Sequence, residues 1–141
     1  RAKFAEMFDR ACELRKTSSW EAAVDEMYHR YGYDDLLPQN MTFNHALINS
    51  AITLLAVLFG DGDFSTTVGL AVAGGRDTDC NGATAGSLLG CALGRNRIPE
   101  HWIAPLNDRY RSDLAGCHEL RISQLAERTV RLAEKHGRFA G

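Results

Sequence analysis

Gly82, Gly86, Gly90 and Gly94 recur at every fourth position, and this spacing limits the possible folds more than any other feature of the chain. Residues four apart lie on nearly the same face of an α-helix. Each glycine in a helix interior costs about 1 kcal/mol relative to alanine. The stripe therefore opposes its own helix by an amount on the order of a small domain's net stability. Close approach of another backbone, or of a ligand, to a face without side chains can offset that cost. Ala83, Ala85 and Ser87 keep the neighbouring surface small.

Just before the stripe stand Gly74-Gly75 and two carboxylates one residue apart, Asp77 and Asp79. Asp-x-Asp at a helix start has two readings. One aspartate caps exposed N–H groups while the other meets the positive end of the helix dipole. Alternatively, two carboxylates on a tight turn hold a divalent cation, for which oxygen donors suit magnesium, manganese or calcium.

The full string Gly74-Gly75-Arg76-Asp77-Thr78-Asp79-Cys80-Asn81-Gly82-Ala83-Thr84-Ala85-Gly86 closely resembles the C-terminal signature of the ADP-ribosylglycohydrolase family. That family also contains the dinitrogenase reductase-activating glycohydrolases and the J1 crystallins. The resemblance extends upstream to His45–Ala51 and Leu58–Phe64, and downstream to Ile98–Trp102, Pro105–Asp108 and Ile122–Thr129. It implies an all-α fold, a compact orthogonal bundle of about six helices. It also implies metal ligands at Asp77, Asp79 and the next residue, here Cys80, with Asp79 bridging two Mg2+ or Mn2+ ions. That third position is often threonine in the family. Sulfur is a poor partner for magnesium, so Cys80 is expected either to be spared or to favour a softer ion such as manganese.

The activity implied is hydrolysis of the glycosidic bond joining an ADP-ribosyl group to a protein side chain such as arginine. The partner is then an ADP-ribosylated protein or an ADP-ribosyl small molecule. The alternatives are a non-enzymatic, crystallin-like structural relative and a hydrolase of another ribosyl compound. The family places its other acidic ligands and its general base in an N-terminal half, and nothing before Asp77 resembles that half. No catalytic residue is therefore assigned in this chain. It is expected to be the C-terminal portion of a larger domain and inactive alone. The surface left exposed would favour self-association, which makes a homodimer one expected form.

Composition agrees with this class. The chain has 141 residues, 45% hydrophobic and 24% charged, which suits a single α-helical domain over 1–141. Its net charge of −2 supplies no basic field for nucleic acid or an anionic membrane. Cys12, Cys80, Cys91 and Cys117 are too dispersed for a thiolate zinc site, and the pattern reads as reduced and cytoplasmic. The most apolar run, Ala46 to Phe59, falls short of the about 20 residues a membrane span needs.

In chain order, 3-4 spacing of Phe4, Met7, Phe8, Ala11 and Leu14 predicts a first helix. Ser18 and Glu21 suggest a capping box for a second helix, which Gly32 ends. Residues 33–42, with Asp34 and Asp35, read as a loop. A central apolar helix runs from Phe43 or Asn44 to Phe59, with His45 and Asn49 on one face near its start. These two read either as hydrogen-bonded core residues or, through the resemblance, as weak substrate-binding candidates. Asp63 caps a fourth helix over Phe64 to Ala73, whose Val68, Ala71 and Val72 should turn inward. Its Gly69 and Ala73 offer a small face for the glycine stripe. The signature helix ends near Gly94, and Trp102 anchors a short turn after Pro99. Residues 105–120 read as a loop, and no strand is expected. Ser123 caps a last helix ending at Gly137.

Overall fold

The computed structural model of the chain describes residues 2–32 and 45–137. Asn44 and the Asp34-Asp35 pair lie outside the described residues. Within them are seven α-helices and one two-stranded sheet, so the fold is helical as expected. The chain forms two compact units, Arg1–Arg97 and Ile98–Gly141.

The first unit is organised around α3 (Ala46–Phe59), which packs against α1 (Ala2–Thr17), α2 (Trp20–Tyr31), α4 (Phe64–Ala73) and α5 (Thr78–Leu93). Its nearly all-round apolar sequence matches that central place. Ile48, Ile52 and Leu55 are fully buried, each contributing roughly 1.5–3 kcal/mol. Met7, Ala11 and Leu14 of α1 and Ala23, Met27 and Tyr31 of α2 close the same core. The first-helix pattern is only partly buried: Phe4 and Phe8 lie at the surface, 46% and 52% exposed. The second helix begins one residue later than the capping-box reading implies. Ser19 is its N-cap and accepts from the Ala22 N–H, while the Ser18 N–H still closes the last turn of α1 on the Leu14 carbonyl.

Arg10 ties α1 to α2 by a two-pronged contact with Glu26, at 2.6 and 2.8 Å, and Arg30 adds a third bond at 3.0 Å. Hydrogen bonding from Arg10 is the main reason the Glu26 carboxyl stays below the usual glutamate range; Arg30 adds to it, against a smaller opposing effect of burial. A carboxyl whose pKa is depressed on folding stabilises above its unfolded pKa and loses that contribution as pH falls through the folded value. Stability should therefore fall as pH drops below the ordinary glutamate range. The urea midpoint of Glu26→Gln should show a shallower acid limb than wild type.

The glycine stripe packs differently from the expected small-on-small contact. The partners of α5 are the branched and aromatic side chains of α4: Val72 Cγ2 lies 3.1 Å from where a Gly82 Cβ would stand, and Val68 Cγ2 lies 3.5 Å from that of Gly86. Phe64, Val68 and Val72 form an i, i+4, i+8 ridge that fills the groove left by the glycines. Gly69 faces open space and Ala73 is exposed. Val72, expected inside, is 46% exposed although its Cγ2 meets the stripe at Gly82. A methyl at Gly86 would meet only ordinary van der Waals contacts. Gly86→Ala should thus raise stability by about 0.5–1 kcal/mol through helix propensity, seen as a higher urea midpoint. Gly82→Ala should gain less, because its contact with Val72 is tighter.

After α5 a 3-10 turn, Arg95–Arg97, places the Arg97 guanidinium on the Leu93 and Ala92 carbonyls, each at 2.9 Å. It thereby satisfies helix-end acceptors with a cation.

In the second unit, α6 (Glu100–Ile103) follows Pro99 as N-cap and runs into a 3-10 turn at Ala104–Leu106. Trp102 is 40% exposed and lies beside the His101 ring rather than in a core. The segment expected to be a loop contains an antiparallel pair, β1 (Arg109–Arg111) and β2 (Glu119–Arg121), with Tyr110 opposite Leu120. Strands of three residues are too short to show a sequence period. The last helix, α7 (Ile122–Lys135), is capped from outside: Asp108 accepts from the Ser123 N–H at 2.9 Å and from its hydroxyl at 2.8 Å. Ser123 is therefore a donor to the cap, not the cap itself. No helix among the described residues is long and apolar enough to cross a membrane.

Candidate metal centre

The turn from α4 into α5 is shaped by its neighbours. Gly74 ends α4 with an ordinary helical φ of −65°. Its glycine identity is a matter of space, because a Cβ there would collide with Ile52 Cγ2 on α3. Gly75, at φ +77°, needs glycine for its backbone conformation. Arg76 follows at φ +61°, a left-handed conformation that costs a non-glycine residue roughly 1–2 kcal/mol.

Three contacts with α2 and its C-cap hold that conformation. Arg76 donates to the Gly32 carbonyl at 2.9 Å and lies over the Tyr28 ring at 4.9 Å. Tyr28 donates its hydroxyl hydrogen to the Gly74 carbonyl at 2.6 Å. A further tether comes from α3. Asn49 Oδ1 accepts from the Asp77 N–H at 3.3 Å and from the Asn81 amide at 3.0 Å.

The loop delivers Asp77, Asp79 and Cys80 to one place. One ligand atom from each lies within 4.8 Å of the other two, and this is the only such trio among the described residues. Asp77 occupies the N-cap position of α5 without a side-chain capping bond, so its carboxylate is not used in the way the capping reading requires. Asp79 combines the two readings. Its carboxyl is held below the usual range, first by a hydrogen bond shared with the Asp77 carboxyl and then by its own N–H and that of Cys80. The Cys80 thiol is pushed up, first by its hydrogen bond to Asp77 and then by the charges of Asp77 and Asp79.

The spacing fits one cation. Ligands at 2.0–2.6 Å on opposite sides of an ion stand about 4–5 Å apart, the span of this trio. Both carboxylates are hard oxygen donors suited to Mg2+ or Mn2+, whereas the sulfur of Cys80 is a soft donor that suits magnesium poorly. Beside the trio runs a groove of about 420 Å³ between α3 and α5. Asn49, Ser50, Thr53, Asp77, Cys80 and Asn81 are among its lining residues.

The sequence-derived candidates are thus partly gathered. Asn49, Asp77 and Cys80 share the groove, with Asp79 adjoining in the cluster. His45 does not line it. His45 is the half-buried N-cap of α3, without a side-chain capping bond. Thr78 opens α5 and is half-buried. Sequence reasoning missed Tyr28, Arg76 and Asn81. Arg76 and Asn81 lie within the signature string, while Tyr28, on a separate helix, carries no local signal.

Fold and site together define a helical protein with a carboxylate-bearing loop at the start of a glycine-striped helix. The family model described as ADP-ribosylglycohydrolase matches residues 1–138, nearly the whole chain, and the chain belongs to that family. Membership makes it a hydrolase of the glycohydrolase type. Comparison with curated proteins and with solved structures gave no match.

Proposed function

We propose that this chain supplies part of a divalent-cation site in a hydrolase that cleaves the glycosidic bond of ADP-ribosyl groups on protein side chains such as arginine. The supporting observation is the convergence of Asp77 and Asp79 beside the α3–α5 groove, with the Asp77 carboxylate free of any capping bond. Asp77 and Asp79 would hold Mg2+ or Mn2+. Cys80, a soft sulfur donor, would be spared from coordinating magnesium. The ions, when bound, supply Lewis-acid stabilisation and an activated water.

The chain's own residues would align the substrate. The groove offers the half-buried polar side chains of Asn49 and Ser50 and the apolar Leu54 and Val57, a mixture suited to a sugar with an apolar underside. Two carboxylates are too few for two ions, so further ligands must come from residues outside this trio. Free cysteines at 12, 80, 91 and 117 support a reducing compartment, the cytoplasm, as the place of action.

The test is release of ADP-ribose from arginine-, serine- and glutamate-linked ADP-ribosyl peptides, with Mn2+, Mg2+ or a chelator. Cation-dependent release from the arginine conjugate alone supports the full reading. Release from another conjugate moves the substrate assignment and keeps the site. Cation-independent release would remove Asp77 and Asp79 from the reaction.

A further inference from the structure

The Asn81 side chain is 3% exposed, and both ends of its amide are engaged. Its nitrogen donates to Asn49 Oδ1 at 3.0 Å and to the Gly75 carbonyl at 3.3 Å, and its oxygen accepts from the Thr53 hydroxyl at 3.4 Å. Asn49 Oδ1 accepts in turn from the Asp77 N–H. The pair thus grips the loop on both sides of Arg76, at the Gly75 carbonyl and the Asp77 N–H. Arg76 is the residue whose left-handed backbone opposes the loop conformation.

A buried amide pair of this kind gives little net stability over an apolar pair of equal size. What it supplies is directional: its bonds form only when Gly75 and Asp77 stand where they do. We propose that Asn49 and Asn81 are positioning residues for cation binding, locking the loop in the one conformation that brings the Asp77 and Asp79 carboxylates together. The inference rests on the cation-site reading above and extends it to two residues that touch no ion. Partners that orient metal ligands typically change affinity by about 10–100-fold when removed.

The experiment is Mn2+ titration by calorimetry on folded protein, with thermal unfolding measured separately. Asn81→Ala and Asn49→Leu should each weaken Mn2+ binding by about 10–100-fold. Asn49→Asp keeps an acceptor for both donors and should bind at least as tightly as wild type. Leu14→Ala, in the core of α1, should lower the unfolding midpoint without changing affinity. Asn49 is half-buried, so its two variants keep the test available if Asn81→Ala does not fold. Wild-type affinity in Asn81→Ala and Asn49→Leu, or an equal loss in Asn49→Asp, would overturn the inference and leave the cation site standing. Failure of wild type itself to bind Mn2+ would overturn both, and that outcome is visible before any variant is made.

Discussion

Asp79→Asn is expected to weaken Mn2+ binding by at least about 100-fold, beyond the upper end of what outer partners cost. The fold should survive. Asp79 is exposed in the first turn of α5, and asparagine keeps an oxygen that accepts from the same backbone N–H groups. The lost element is one of the trio's two negative charges. Asp77→Asn should act in the same direction, because its carboxylate makes no capping bond that the change would break. Calorimetry with far-UV circular dichroism separates ligand loss from unfolding. Undiminished Mn2+ binding by Asp79→Asn would make Asp79 a helix-start residue only and would require other donors for the cation.

Much of this site can be read in the sequence, because its parts are contiguous. The glycine pair, the aspartates and the start of the stripe occupy one short string, and the helix they begin is where the spacing placed it, ending at the Gly94 cap. The central helix was equally plain, since an apolar run flanked by polar residues has few other places to go. Reading failed where the cause is a partner distant in sequence. The stripe's partner could not be identified from periodicity, since Gly69/Ala73 and Phe64/Val68/Val72 are both helical sets on α4. Shape decides: side chains fill a groove that glycines leave, and a second small face would leave it empty. Asp108 likewise caps α7 across 15 residues of chain, a contact that no local motif marks.

The candidate site divides along the same line. Its donors are local, while the groups that hold them, Tyr28, Asn49 and Gly32, come from α2 and α3. Asn49 was singled out for its polarity on an apolar helix, and the structure explains that polarity through the loop it binds. His45, chosen with it for sharing a face, sits one turn earlier as the N-cap and lines no part of the groove.

Gly74→Ala is expected to destabilise the first unit strongly for a change of one methyl. The added Cβ would fall on Ile52 Cγ2, and Ile52 is a fully buried residue on the central helix with no space to retreat into. Overpacking of this kind costs about 1–3 kcal/mol and occasionally more. Here α4 and α3 would have to separate, or Ile52 leave its rotamer. Ile52→Ala alone should cost about 2–5 kcal/mol through the cavity it opens, and the same cavity would admit the Gly74 methyl. The two changes should therefore couple, with the double variant less destabilised than the sum by about 1 kcal/mol or more. The Gly74 carbonyl is the acceptor for Tyr28 and the next residue carries the φ +77° turn. A displacement at Gly74 should thus pass directly to the Asp77 backbone. Gly74→Ala should also weaken Mn2+ binding, and Ile52→Ala should partly restore it in the double variant. Urea unfolding and calorimetry on the four proteins test both claims. Strict additivity in stability would show that Gly74 and Ile52 do not share the contact, and an unchanged Mn2+ affinity would show that the loop is held independently of the core beneath it.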